Sequence, residues 1–256
     1  MKPLSIGAAL AAALCAGVGV AHASTLTFDA GLDSSQLPFA PYLTHGAPLY
    51  QDGFQISARS SVAGAGEFDL VGALVDGSDL GASCAAIVCP TNNASTFLLA
   101  LDDSAVYLSS AAGAMPFTLG GFSASFVGNG LDPVATRGAA GIVRVFGVLA
   151  DGSGLRIESF ALAPASQDGQ LSFSSYVSSF ADTPLTAVVF QAFSCDAQGV
   201  CNEAIADNRA QFALDDIAVS AVPEPANWCM AVLGLLALGL TSRRRAARAT
   251  ADCGEA

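Results

Sequence analysis

Positive charge is the scarcest commodity in this chain. Of 256 residues, 10 are Lys or Arg against 22 Asp or Glu, and the single lysine is Lys2. Between Ser24 and Val222 there are five arginines, no lysine and 19 acidic residues, a formal charge of about −14. Such a segment repels phosphate backbones, which excludes nucleic-acid binding and favours divalent cations and neutral or cationic ligands. Histidine is nearly absent as well. The segment holds only His45, in YLTHGAP, so a Ser-His-Asp hydrolase would have to use it. No G-x-S-x-G elbow, H-E-x-x-H pair, Walker loop, dinucleotide fingerprint or EF-hand loop occurs. Glutamate is limited there to Glu67, Glu158 and Glu203, with nothing to mark a facing carboxylate pair for glycoside hydrolysis. No catalytic residue is assigned, and the chain reads as a non-enzyme.

Long hydrophobic runs are also missing. The apolar stretches Ile6–Val20 and Trp228–Leu240 both fall short of the roughly 20 residues that span a bilayer comfortably. The first follows Lys2 and ends in Ala21-His22-Ala23, the three-part pattern of a secretory signal peptide, with cleavage expected between Ala23 and Ser24. The second starts after Pro223 and Pro225 and ends at Arg243, Arg244, Arg245 and Arg248. Basic flanks stay cytoplasmic, so this helix (226–242) would sit in the inner membrane with the preceding chain outside. The expected organisation is a signal peptide (1–23), an exported domain (24–221), a C-terminal signal with a transmembrane helix (222–248) and a short cytoplasmic tail (249–256).

Cysteine usage agrees with export. Cys84, Cys89, Cys195 and Cys201 fall in the exported segment as CAAIVC and CDAQGVC. Three disulfide connectivities are open; the local one, Cys84–Cys89 and Cys195–Cys201, needs the least assumption, and a four-cysteine zinc site is the rival. Helical periodicity is almost absent from the same segment. Short apolar runs broken by Gly, Asp, Ser and Pro predict an all-β, jelly-roll-like β-sandwich. The clearest unit is GIVRVFGVLADGSGLRIESFAL, a hairpin turning at Asp151–Gly154. The stretch 60–93 predicts a long loop with one short helix around Phe68–Val75.

One strand breaks phase. In QFALDDIAVS, Phe212 and Leu214 share one parity, while Ile217 and Val219 have the other. One extra residue must be absorbed at Asp215-Asp216, as a β-bulge does. If the first and last strands pair, Asp29 comes close to these two carboxylates. That makes Asp29, Asp215 and Asp216 a candidate Ca²⁺ site.

The C-terminal stretch, with Pro223-Glu224-Pro225, its apolar run and Arg243-Arg244-Arg245, resembles the PEP-CTERM sorting signal of exported proteins from Gram-negative, exopolysaccharide-making bacteria. The residues Gln211, Phe212 and Asp215 of QFALDD resemble the QFxxD motif of a subset of these proteins. The resemblance implies export by the Sec machinery, a transient inner-membrane anchor, and recognition by an exosortase. Release to the cell surface or extracellular matrix would follow. The expected role is non-catalytic binding or structure in an exopolysaccharide or biofilm matrix. A polysaccharide hydrolase and a ligand-free coat protein are the rivals. Exposed aromatics, with Tyr42 and Tyr50 as candidates, would favour sugar binding.

Overall fold

The computed structural model describes residues 23–101, 103–113, 115–129, 141–195, 200–202 and 210–222. They belong to one compact unit, His22–Val222. The predicted signal peptide, the sorting motif and the C-terminal helix lie outside the described residues. Among those described, no helix is long and apolar enough to cross a membrane.

The unit is all-β. Its strands are β1 (Ala23–Leu26), β2 (Tyr42–Thr44), β3 (Pro48–Gln51), β4 (Phe54–Arg59), β5 (Leu70–Asp76), β6 (Ile87–Val88), β7 (Thr96–Ala100) and β8 (Ala105–Ser110). They continue as β9 (Phe117–Phe126), β10 (Gly128–Asn129), β11 (Gly141–Leu149), β12 (Leu155–Leu162), β13 (Ser174–Val177), β14 (Leu185–Cys195), β15 (Cys201–Asn202) and β16 (Phe212–Ala221). One four-residue helix, α1 (Leu80–Ser83), and a 3-10 turn at Ser179–Asp182 complete it among the described residues.

Fourteen strands form one antiparallel sheet that folds back on itself. The first run is β3-β4-β8-β14-β11-β12 and the second is β2-β5-β7-β16-β9-β13. They meet at a corner where Phe117 of β9 pairs with Leu185 of β14. The inner faces press together as a sandwich. Phe122 of β9 packs edge-on against Phe160 of β12 and Phe190 of β14, with ring centroids 5.1 Å apart in both pairs. Phe54 of β4 meets Phe117 of β9 in the same manner at 5.3 Å. These edge-to-face pairs add to the burial that drives the two runs together.

The period-two alternation predicted for the hairpin is realised residue by residue. Val143 and Val145 of β11 are buried, while Ile142, Arg144 and Phe146 turn to the other side. Its ladder runs from Gly141↔Leu162 to Val148↔Leu155. At the turn, Gly152 and Gly154 adopt positive φ, and the Asp151 carboxylate accepts from Ser153 N–H and Oγ–H at 2.9 and 2.7 Å. Those two donors, hydroxyl first, hold the Asp151 carboxyl below its ordinary pKa.

The helix expected around Phe68–Val75 is instead strand β5. Its apolar residues recur at three and four positions, which mimics a helix. Two features override that pattern. Gly72 packs so close to β7 that a Cβ there would lie 2.3 Å from the Leu99 carbonyl oxygen. The ladder to β2 steps from Leu43↔Gly72 to Thr44↔Leu70, so Val71 is an extra residue absorbed as a bulge. The helix that does form lies further on, where the Asp79 carboxylate caps α1 by accepting from Ala82 N–H at 3.2 Å.

The outer faces of the two runs differ. Over the second run, Ala73, Val75, Phe97, Leu99 and Ala213 form a small separate core with Val127 and Cys89. It is roofed by the segment that carries α1, with Leu80, Cys84 and Ile87 packed on it and Phe173 joining from the side. No such cluster covers the first run among the described residues.

Candidate functional site

The phase break in QFALDDIAVS is a true discontinuity in the ladder. β16 pairs with β9 at Asp215↔Ser123 and next at Ala218↔Gly121, and Asp216 takes a positive φ of 49°. On its opposite edge β16 changes partner at this point. Phe212–Leu214 pairs with β7, whereas Ile217–Ser220 pairs with β1. First and last strands therefore pair, and the bulge sits where one neighbour hands over to the other.

The three candidate metal ligands have separate attachments. Asp29 leaves β1 and its Oδ1 accepts from Thr96 N–H at 2.7 Å, tying the end of β1 to the start of β7. Asp215 is buried, and its Oδ2 accepts from Asn93 Nδ2 at 2.6 Å and Ser95 Oγ at 2.8 Å, while Oδ1 accepts from Asp216 N–H at 2.8 Å. Burial pushes the Asp215 carboxyl above its ordinary pKa, against the pull of those donors. Asp216 is exposed, with Ser123 Oγ at 3.5 Å from its Oδ2. Among the described residues no three Asp, Glu, His or Cys side chains gather as a metal site requires. Asp29 and Asp215 are joined through the segment 93–96, by hydrogen bonds that bridge the gap between β1 and β7. The same segment leaves no room behind it: a Cβ on Gly77 would lie 2.3 Å from Asn93 O.

The remaining motif residues are also internal. Phe212 is wholly buried in the core. Gln211 is buried too, its backbone carbonyl accepts from Val127 N–H at 3.0 Å, and its side-chain Oε1 has no partner. His45 fastens a loop, its Nδ1 accepting from Ser60 N–H at 3.2 Å. Glu158 accepts from Ser178 Oγ and Ser179 N–H at 2.7 and 2.8 Å, which holds the 3-10 turn against β12. Cys84 and Cys89 are joined in a disulfide, the local pairing anticipated for them. Cys201 is disulfide-bonded, and the β14–β15 ladder sets it opposite Cys195.

One concavity on the surface is lined largely by aromatic side chains. Phe39, Ala40, Tyr42, Phe68 and Leu70 line a shallow concavity of about 590 Å³ at the β2–β5 edge of the second run. Phe39, Tyr42 and Phe68 are 52%, 51% and 64% exposed, a large share for rings that burial would favour. The backbone beneath is fastened. Tyr42 N–H donates to Phe39 O and Leu74 N–H to Pro41 O, both at 2.9 Å, and the turn between Phe39 and Tyr42 contains a cis Ala40-Pro41 bond. On the other flank, the Asp69 carboxylate accepts from Gly66 N–H at 2.8 Å and its carbonyl from His45 N–H at 2.9 Å. The rings are therefore presented on a held frame. The charged residues flanking Phe68 in sequence, Glu67 and Asp69, are acidic. Tyr42 is thus part of this exposed shelf. Tyr50 is not part of this shelf; it is half-buried on β3 opposite Gln55. Phe39 and Phe68 carried no signal in the sequence beyond being aromatic residues in turn-rich stretches.

No family model matches this chain, and no curated protein does. Among solved structures, it is similar to a DUF4465 family protein from Bacteroides caccae, at 13% identity and a TM-score of 0.43, over 79% of this chain and 87% of that one. It is also similar to a family 29 carbohydrate-binding module, at 11% identity and a TM-score of 0.32, over 78% of this chain and 92% of the module. A third is the carbohydrate-binding module TmCBM61 in complex with beta-1,4-galactotriose, at 9% identity and a TM-score of 0.31, over 67% and 90%. At these values the likeness transfers no residue role.

Proposed function

We propose that this protein is an exported, non-catalytic glycan-binding protein with a jelly-roll-like β-sandwich, which holds neutral polysaccharide at the cell surface or in the extracellular matrix. The observation that carries the reading is the shelf of Phe39, Tyr42 and Phe68, three exposed rings on a backbone held by hydrogen bonds. Sugar rings present apolar C–H faces that stack on such side chains, and a rigid frame reduces the ordering cost of binding. Glu67 and Asp69 beside the shelf favour a neutral over an anionic sugar. The route outward is the one implied by the two ends: Sec export, a passing anchor at 226–242, and exosortase processing at Pro223-Glu224-Pro225.

Affinity electrophoresis through gels containing neutral β-glucan, xylan or galactan tests the binding. Retardation of the purified chain, weakened about tenfold by Phe39→Ala or Tyr42→Ala with no change in melting temperature, is the expected result. Unaltered retardation in the Phe39→Ala/Tyr42→Ala/Phe68→Ala variant would remove the shelf from the account. Mass spectrometry of the mature protein from its host tests the route, and an intact Trp228–Leu240 segment contradicts it.

A further inference from the structure

The outer face of the first run, which no separate core cluster covers among the described residues and on which Gln191 Nε2 reaches Ser61 Oγ at 3.4 Å, carries two parallel rows of side chains. One crosses four strands through Tyr107, Val189, Phe146 and Ile157, which pair in that order across the ladders. Strand alternation directs all four away from the core, and Tyr107 and Ile157 are exposed. The next row, two residues along each strand, has Arg59 at one end on β4 and Gln191 opposite Arg144 at the other. Arg59 and Arg144 stand three strands apart, about 14 Å at the usual strand spacing.

Both guanidinium groups are held by rings and not by acids. Arg59 lies 5.1 Å from the Tyr107 ring centroid, and Arg144 lies 4.3 Å from that of Phe193. Neither makes an ion pair among the described residues, in a segment where acidic residues outnumber arginines 19 to five. The third arginine of this run, Arg156, is engaged differently: it stacks over Phe180 at 5.4 Å and donates to Thr183 Oγ1 at 3.1 Å. The net charge of the chain argues against anionic ligands, but among the described residues no acid pairs with Arg59 or Arg144, and their planar donors match carboxylate geometry.

We propose that this face is a second glycan site, for a polysaccharide bearing carboxylates. Its sugar rings lie along the Tyr107–Phe146–Ile157 row, and its carboxylates are taken by Arg59 and Arg144. The proposal rests on the reading of the protein as a glycan binder, but it uses a different face and the opposite ligand charge. Two sites of different preference on one small unit would let it bridge a neutral and an acidic polymer.

Isothermal titration of the purified chain with polymannuronate, polyguluronate and polygalacturonate oligosaccharides, and separately with cellohexaose, xylohexaose and galactotriose, tests it. Binding of at least one uronate is expected, weakened by added salt and about tenfold by Arg59→Gln or Arg144→Gln. Arg156→Gln removes the same charge elsewhere and should leave uronate binding unchanged, and none of the three should affect a neutral oligosaccharide. Melting temperatures of the variants confirm that the fold persists. Neutral binding without any uronate binding overturns this proposal and leaves the aromatic shelf standing. Uronate binding that Arg59→Gln and Arg144→Gln do not weaken overturns it equally. Binding of neither class removes both readings. If instead the chain self-associates and Arg144→Gln abolishes this, the face docks the acidic surface of a second copy and the proposal fails.

Discussion

The two outer faces of the sandwich start from the same strand alternation and end differently. The second run is roofed, with Phe97 wholly buried beneath α1 and the Cys84–Cys89 loop. Among the described residues no such cluster covers the first run, and Leu155 and Ile157 are exposed. Among the hairpins described, connection length contributes to the contrast. The chain between β5 and β7 has room to fold back over its own run and is stapled there. β3 and β4 are joined by Asp52-Gly53 alone, both at positive φ, and β11 and β12 by five residues, 150–154. Neither turn can reach across the sheet. A roof converts an outer face into core; a tight hairpin leaves it available to a ligand.

Truncations on the two faces should separate them most sharply. Phe97→Ala removes a buried ring that packs edge-on to Phe173 and should cost about 3–5 kcal/mol in urea unfolding. Tyr107→Ala, at an exposed position on the outer face of the first run, should cost less than about 1 kcal/mol. Equal losses would erase the distinction.

Next in size is the bulge under the roof. Asp215→Ala strands the donors of Asn93 and Ser95 and should cost about 2 kcal/mol. The pH dependence has a definite sign. Burial raises the folded-state pKa of Asp215, so the folded chain binds this proton more tightly than the unfolded one. This group's contribution to stability is therefore greatest at low pH. It declines as pH rises from the ordinary carboxylate value of 3.8 through the raised folded value. Asp215→Asn should flatten that decline in pH-dependent unfolding; an unchanged profile would assign it to another group.

The staple itself is worth less. Cys84→Ser with Cys89→Ser opens a short loop and should cost about 2 kcal/mol or slightly less, with amide exchange faster in the roof and unchanged on the first run. Smallest of all, Ile157→Ser should shift stability by no more than about 0.5 kcal/mol, because its side chain is already in water. A larger loss would mean the first run is covered after all.

Much of this frame was legible in the sequence where period and turn chemistry agreed. Strands β11 and β12 fall where the apolar pattern of their hairpin puts them, and the parity change between Leu214 and Ile217 located the bulge. Other elements were hidden for identifiable reasons. β5 looked helical because a bulge at Val71 and a close approach at Gly72 are tertiary facts. β3 was missed although Asp52-Gly53 in LYQDGFQ is a strong hairpin signal. The pairing of the first and last strands was legible, but not the donors of Asn93, Ser95 and Thr96 that tie down Asp29 and Asp215. The aromatic shelf depends on residues from two turns meeting, and the arginine row on strands far apart in sequence. Neither leaves a local pattern to read.

The most direct test of the central claim is hydrogen–deuterium exchange of the purified chain with and without a neutral oligosaccharide that retards it. The account predicts protection in the segments around Phe39–Tyr42 and Phe68–Leu70, with the roof unchanged. Bound oligosaccharide that leaves both segments as fast as in the free chain would contradict it.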